Sequence, residues 1–249
     1  MKKEKLPNLF IVGTAKAGTT SLTYYLNQHP EIFMPKLKEP RFFCYDEFIR
    51  VYYYRQPMVK NWEKYVSLFE KVKTEKVIGE ASVHYLYFPS APYKIEKVVP
   101  DAKIIILLRD PVSRAFSHYL MDLSAGFINI SFEYVVFKQT NAKNLDNCYI
   151  QFIELGFYYE QVKRYLDVFG KDNVKIFLFE DLKADTLQVI TSIFEFLGVD
   201  TSIKFDVNKN VNPFKTPKGI FKHIYYSIYA KYITNWYIRN FLRSLTPAL

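Results

Sequence analysis

Four short runs of mainly apolar residues recur along the chain, and none alternates strictly between apolar and polar positions. The runs are NLFIVG (8–13), KVIGE (76–80), KIIILL (103–108) and VKIFLF (174–179). Runs that are apolar on both faces and rich in β-branched residues are typical of strands buried in a parallel sheet. We therefore predict that these runs form a central sheet.

Segments of helical period separate the predicted strands. They cover 19–29, 61–70, 90–98, 111–124, 149–170, where Gly156 suggests a division into two helices, and 186–198. Strands that alternate with helices predict an α/β fold of three layers, with a central parallel β-sheet flanked by helices. Because ligands of such sheets bind at the carboxyl ends of the strands, we expect the chemistry just after residues 13, 80, 108 and 179.

Two stretches do not follow this alternation. Residues 30–60 contain several prolines among aromatic residues, which favours an irregular insertion over a further strand and helix. Residues 206–219 form another polar loop that contains proline. The length of 249 residues and the 49% hydrophobic content fit one compact domain over 1–249.

The charge of the chain indicates an anionic ligand or surface. Lys and Arg number 34 against 25 Asp and Glu, a formal net charge of +9. Aromatic residues make up 18% of the chain but are spread along it, whereas nucleic-acid modules cluster them among basic residues. We therefore expect no nucleic-acid partner.

The cysteines and the apolar runs bear on the compartment. Cys44 and Cys148 do not have the spacing of metal ligands, and two cysteines are too few to stabilise a secreted fold by disulfide bonds. The N-terminal apolar run is too short for a signal-peptide core, and no window reaches the roughly twenty apolar residues of a membrane-spanning helix. We therefore expect a reducing, cytoplasmic location and no bound metal.

The strongest chemical signal is GTAKAGTTSL (13–22), between a predicted strand and a predicted helix. Gly13 and Gly18 permit a tight turn, and the helix N-terminus favours an anion there. The alternative is an ordinary turn in which Thr19 or Thr20 caps the helix. A nucleoside-triphosphate P-loop requires Lys directly after the second glycine, where this chain has Thr19. The lysine that would bind the β and γ phosphates of ATP or GTP is therefore missing from this position.

Residues 13–20 resemble the loop G-x-x-K-x-G-T-T of the sulfotransferases that use 3'-phosphoadenosine 5'-phosphosulfate (PAPS). This resemblance implies a P-loop NTPase-like fold, and it implies that Lys16 contacts the bridging oxygen and the transferring sulfuryl group. It also implies that the remaining loop residues hold the 5'-phosphate: Ala17, Gly18, Thr19 and Thr20. A positioned ammonium would stabilise the charge that develops as the sulfur–oxygen bond breaks.

The run RDPVSRAFS (109–117) follows the third predicted strand and resembles the 3'-phosphate motif of the same family, R-D-P-x-x-R-x-x-S. The resemblance implies that Arg109 and Ser117 hold the 3'-phosphate, with Arg114 nearby. Arginine binds phosphate with a bidentate fork. The alternative is that Asp110 caps a surface helix and that Arg114 lies in solvent.

Two further segments resemble the acceptor side of the glycan branch, the enzymes related to heparan sulfate N- and 3-O-sulfotransferases. KLKEPRFF (36–43) is similar to K-E-x-H-F-F, which implies that Glu39 is the general base, although Arg41 stands where that branch has His. GEASVHYLY (79–87) is similar to E-K-S-P-x-Y, with Ala and Val in place of Lys and Pro. His84 is therefore a second candidate for the base.

The C-terminal part carries a weaker resemblance. TPKGIF (216–221) is similar to the late loop over the 3'-phosphate and the adenine, which implies that Lys218 and Gly219 contact the nucleotide. The aromatic and basic segment 221–249 is predicted to be helical, and residues 221–245 suit an anionic membrane surface, the core or a second subunit.

We therefore predict a PAPS-dependent sulfotransferase that releases 3'-phosphoadenosine 5'-phosphate (PAP) and requires no metal. The predicted acceptor is a hydroxyl or amine, on a saccharide first or else on a small-molecule natural product. The alternatives are a P-loop kinase or NTPase and a non-catalytic module that binds PAP.

Overall fold

The computed structural model describes residues 5–52, 58–139, 141–142 and 144–207. The described chain divides into two compact units. The first consists of 5–50, 58–108 and 161–207 and contains the sheet, and the second consists of 51–52 and the described residues of 109–160.

The first unit is built on a parallel five-stranded sheet with the order β2-β3-β1-β4-β5. The strands are β1 (Leu9–Gly13), β2 (Ile32–Phe33), β3 (Val77–Ala81), β4 (Lys103–Leu108) and β5 (Val174–Leu178). Leu9 at the start of the central strand is in register with Gly79 on one side and with Lys103 on the other. The predicted parallel sheet is confirmed, and the four predicted strands coincide with β1, β3, β4 and β5.

Ten α-helices connect the described strands. They are α1 (Thr19–Leu26), α2 (Tyr45–Val51), α3 (Trp62–Ser67), α4 (Ala91–Val98), α5 (Pro111–Ser124), α6 (Phe132–Val136), α7 (Leu145–Phe152), α8 (Tyr158–Phe169), α9 (Phe179–Ala184) and α10 (Thr186–Leu197). Phe42–Cys44 and Glu154–Gly156 form short 3-10 turns. The second of these turns separates α7 from α8, so the predicted division near Gly156 is confirmed.

The predicted irregular insertion over 30–60 is partly wrong, because it contains β2 and α2. β2 pairs in parallel with the start of β3, Ile32 opposite Val77. Two residues between prolines are too short to show a period, so this edge strand depends on pairing with β3.

Apolar side chains cover both faces of the sheet. On one face, Leu9 and Ile11 of β1 belong to a buried cluster with Leu22 of α1 and Ile190 of α10. On the other face, the ring of Phe10 lies 5.9 Å from the ring of Phe43. Burial on both faces explains the uninterrupted apolar runs, and the parallel order places all carboxyl ends at one edge of the sheet.

The second unit has a core of its own. Apolar residues of α5, α6 and α7 form a buried cluster that includes Phe116, Phe132 and Phe152. Asp110 caps α5, since its Oδ1 accepts a hydrogen bond of 2.8 Å from the Ser113 amide, and Pro111 occupies the first helical position.

Candidate functional site

The loop between β1 and α1 has the backbone geometry of an anion cradle. Lys16 and Gly18 both adopt left-handed φ angles, 71° and 86°. The Thr14 amide donates a 2.6 Å hydrogen bond to the Leu107 carbonyl of β4, which holds the loop at the carboxyl edge of the sheet. Left-handed residues within a tight turn direct amides into a concavity, and the first amides of α1 have no acceptor within the helix.

Gly18 is required at its position for two reasons. Its left-handed φ is strained for any residue with a Cβ, and a Cβ there would lie 2.9 Å from the ring of Phe179. Gly18 is also the N-cap residue of α1, without a side-chain hydrogen bond. The alternative in which Thr19 or Thr20 caps the helix is therefore wrong, since both lie within the helix. This leaves the Thr19 hydroxyl for another contact, from Lys38 Nζ at 3.2 Å.

The segment that carries Glu39 folds onto the carboxyl end of β3. The Glu39 amide donates to the Ala81 carbonyl at 2.9 Å, and the Arg41 amide donates to Ser82 Oγ at 3.0 Å. Glu39 and Arg41 have left-handed φ angles of 60° and 53°. A non-glycine residue in this region costs of the order of 1 kcal/mol or more, and such strain concentrates at functional sites. Among the described residues, only one other non-glycine residue besides Lys16 shares this conformation, Lys138.

Three basic side chains surround the Glu39 carboxylate. Lys38 Nζ lies 3.2 Å from Oε1, the Arg41 guanidinium forms a close ion pair with Oε2, and His84 Nδ1 lies 3.4 Å from Oε2. Burial acts to raise the pKa of Glu39, but His84, Lys38 and Arg41 outweigh it and hold that pKa well below its usual range. Glu39 is therefore ionised at neutral pH, with 19% of its side chain exposed.

His84 lies behind Glu39 and is almost completely buried. Arg41 Nε donates to His84 Nδ1 at 3.2 Å, and the ring of Phe48 packs edge-on at 4.9 Å. Burial lowers the pKa of His84 to about 4, so the imidazole is neutral at pH 7. The structure thus brings the two candidate bases into contact with each other. Lys38 contacts both Glu39 and Thr19. It thereby connects this cluster to the loop between β1 and α1, which we call the anion loop.

A second carboxyl group is buried next to this cluster. Glu80 is fully buried on β3, and its Oε2 accepts a 3.1 Å hydrogen bond from the hydroxyl of Tyr65, which is itself fully buried. Burial raises the pKa of Glu80 to about 7. Neither Glu80 nor Lys38 is among the site residues predicted from the sequence. The available signals were an acidic residue inside the apolar run 76–80 and a lysine adjacent to Glu39.

The residues of the 3'-phosphate motif lie in the second unit. Arg109 directly follows β4, and its carbonyl accepts a 2.9 Å hydrogen bond from the Tyr158 hydroxyl. Arg109 and Ser117 are both partly exposed. Arg114 is fully buried, with its guanidinium bound to the Phe152 carbonyl, so the alternative that places Arg114 in solvent is wrong.

Some predicted features lie outside the described residues, namely Lys218, Gly219 and the segment 221–249. Within the described chain, no helix is long and apolar enough to cross a membrane. The described residues also include no group of three or more His, Cys, Asp or Glu side chains arranged to hold a metal ion.

The parallel five-stranded sheet, its flanking helices and the tight loop after the central strand define an α/β fold of the P-loop NTPase-like type. The family model for the sulfotransferase domain matches residues 6–231, and the chain belongs to the sulfotransferase family. The predicted membership of the sulfotransferase family is thereby confirmed.

A solved structure and two curated proteins illustrate the relationship. The crystal structure of a sulfotransferase from Alicyclobacillus acidocaldarius is 38% identical, with a TM-score of 0.71 over 84% of this chain and 87% of that chain. Heparan sulfate glucosamine 3-O-sulfotransferase 3A1 of Mus musculus is 28% identical over 79% of this chain and 47% of that protein. The membrane-associated sulfotransferase kil1 of Dictyostelium discoideum is 40% identical over 46% of this chain and 22% of that protein. The chain thus spans less than half the length of these curated relatives.

Proposed function

We propose that this sulfotransferase takes its sulfuryl group from PAPS and delivers it to a hydroxyl or amine of a saccharide. The observation that carries this proposal is the contact of Lys38 with both Thr19 and Glu39, because it joins an anion cradle to an ionised carboxylate. A donor anion in the loop and an acceptor at the carboxylate would then be neighbours. The likeness to a heparan sulfate 3-O-sulfotransferase favours a saccharide over a small-molecule natural product.

In the proposed reaction, the acceptor oxygen or nitrogen attacks sulfur in line with the bridging oxygen of PAPS. A sulfur–oxygen or sulfur–nitrogen bond forms, the bond to the bridging oxygen breaks, and its electron pair leaves with PAP. Lys16 stabilises the charge that develops on the leaving phosphate. The loop residues 17–20 hold the 5'-phosphate, and Arg109 and Ser117 hold the 3'-phosphate. The attacking group loses its proton to a base beside the loop.

We assign the role of base to Glu39. Its side chain is 19% exposed, whereas that of His84 is 5% exposed, so an acceptor from solvent reaches the carboxylate first. The basic neighbours that make Glu39 a weak base also keep it ionised, so it accepts the proton as the acceptor loses electron density to sulfur. Arg41 orients the carboxylate through its ion pair with Oε2, and His84 positions Arg41 by accepting a hydrogen bond from its Nε. Transfer without a metal and a reducing, cytoplasmic location both stay predictions.

The test of this function measures transfer from labelled PAPS to panels of saccharides and small metabolites, with and without Mg²⁺. We expect transfer to at least one saccharide, and PAP binding that does not depend on Mg²⁺. Turnover of ATP without any use of PAPS would contradict the proposal. PAP binding without transfer to any acceptor would indicate a non-catalytic module.

The assignment of the base is tested by exchanging Glu39 for glutamine. Glu39→Gln keeps the shape of the side chain but removes the base and its negative charge, so we expect turnover to fall by about a hundredfold or more with PAP affinity retained. Glu195→Gln, at an exposed position on α10, is the matched control and keeps normal turnover. If Glu39→Gln stays active while His84→Ala is inactive, His84 is the base.

A further inference from the structure

The first unit has an open cleft of about 450 Å³ next to the segment that carries Glu39. Its size is within the range of ligand sites in proteins. The 3-10 turn at Phe42–Cys44, the start of α2, the start of α3 and the second half of α4 surround it. The residues that decide its chemistry are three aromatic and three basic ones, Phe42, Tyr45, Trp62, Lys60, Lys94 and Lys97. We call this feature the aromatic cleft.

The aromatic wall of the cleft is held rigidly from behind. The ring of Phe42 stacks on the buried ring of Tyr65 at 4.5 Å and 18°, and Trp62 lies 5.8 Å from each of these rings. The Tyr65 hydroxyl is fixed by its hydrogen bond to Glu80. Phe42 and Trp62 themselves are partly exposed. The cleft therefore presents ring faces whose positions are set before any ligand arrives, which lowers the entropic cost of binding.

The charge of the cleft is positive. Lys94 and Lys97 lie three residues apart on α4 and therefore on the same side of this helix, and both are exposed. Lys60 Nζ lies over the ring of Tyr45, 5.9 Å from its centre. Among the described residues that line the cleft, Asp46 is the acidic one. Its ligand should therefore combine flat apolar faces with anionic groups.

We propose that the aromatic cleft binds an acidic saccharide segment of the acceptor, with pyranose faces on Phe42 and Trp62 and sulfate or carboxylate groups on Lys94 and Lys97. This inference rests on the saccharide acceptor proposed above. Phe42 directly follows Arg41, whose guanidinium binds Glu39, so one short segment carries both the base and a wall of the cleft. The cleft thus selects long acidic acceptors over short or neutral ones.

Binding is measured through the fluorescence of Trp62. The chain has two tryptophans, so Trp236→Phe leaves Trp62 as the single reporter. This variant, saturated with PAP, is titrated with a heparin octasaccharide, with neutral maltooctaose, with hexaglutamate and with an oligodeoxythymidylate. We expect the heparin octasaccharide to change the emission of Trp62 and maltooctaose to leave it unchanged.

The lysines are tested by a paired substitution in the same background. Lys94→Ala with Lys97→Ala removes two exposed charges, for which we expect a dissociation constant about threefold to thirtyfold higher for the heparin octasaccharide. Lys71→Ala with Lys73→Ala, at exposed positions outside the cleft, is the matched control and keeps the affinity. In turnover assays, Lys94→Ala with Lys97→Ala should raise KM for the long acidic acceptor but leave kcat and PAP affinity unchanged.

Each contrary result has a distinct meaning. Transfer to a saccharide can occur while the heparin octasaccharide leaves the emission of Trp62 unchanged and while its affinity does not depend on Lys94 and Lys97. In that case the cleft proposal is wrong and the proposed function is retained. If hexaglutamate or the oligodeoxythymidylate binds as tightly through the same lysines, the cleft is a general polyanion surface and the proposal is overturned. If no saccharide accepts sulfuryl, the proposed acceptor fails, and the cleft proposal fails with it.

Discussion

The buried carboxyl group of Glu80 makes a quantitative prediction about stability. Its pKa is raised from 4.5 to about 7 in the folded protein, because the side chain is fully buried. The folded state therefore keeps a proton between these two values that the unfolded chain releases. The stability contributed by the protonated group is fully present below pH 4.5 and is lost as the pH rises through 7.

The size of this effect follows from the difference between the two pKa values. Each unit corresponds to about 1.4 kcal/mol, so the free energy of unfolding falls by about 3 kcal/mol between pH 4 and pH 8.5 through this group alone. Glu80→Gln keeps the shape and an acceptor for the Tyr65 hydroxyl but does not ionise. The stability difference between the variant and the wild type should therefore shift by about 3 kcal/mol in favour of the variant as the pH rises.

The assay is urea unfolding at several pH values for the wild type, Glu80→Gln and Glu70→Gln, an exposed control. The free energy of unfolding of the variant minus that of the wild type is taken at each pH, which cancels the contributions of the other titrating groups. We expect this difference to grow between pH 5 and pH 8 for Glu80→Gln and to stay flat for Glu70→Gln. A flat difference for Glu80→Gln would refute the reasoning, because it would mean that Glu80 titrates alike in both states.

Three other substitutions test the anion sites. Lys16→Ala should lower turnover by about two to three orders of magnitude while most PAP affinity remains, and near-normal turnover would remove Lys16 from the mechanism. Arg109→Ala should abolish the preference for PAP over AMP in a binding assay, because the arginine is proposed to hold the 3'-phosphate that distinguishes them. An unchanged preference would rule out this role of Arg109. Gly18→Ala should lower the free energy of unfolding by about 1 to 3 kcal/mol, because of its left-handed φ and the contact with Phe179, and a variant of wild-type stability in urea would show that the loop adapts.

Much of this protein can be predicted from local sequence alone. The parallel sheet follows from runs such as KIIILL (103–108), because a strand buried on both faces must be apolar throughout. The anion loop follows from Gly13, Lys16 and Gly18 between a strand and a helix, because glycine permits a tight turn and a helix N-terminus favours an anion. Both features depend on residues close together in the sequence, and the two family motifs lie at these same strand ends.

The surroundings of Glu39 were decided by the tertiary structure. His84 is 45 positions away in the sequence, and the protein brings it to Glu39 only because the loop of Glu39 is hydrogen-bonded to the end of β3. The buried position of Arg41 and the contact from Lys38 to Thr19 depend on the same fold-back. Two of the groups that lower the pKa of Glu39, Lys38 and Arg41, are its neighbours in the sequence. Their distances to the carboxylate, and the contact with the distant His84, depend on the fold, because a sequence contains charges but not the distances between them.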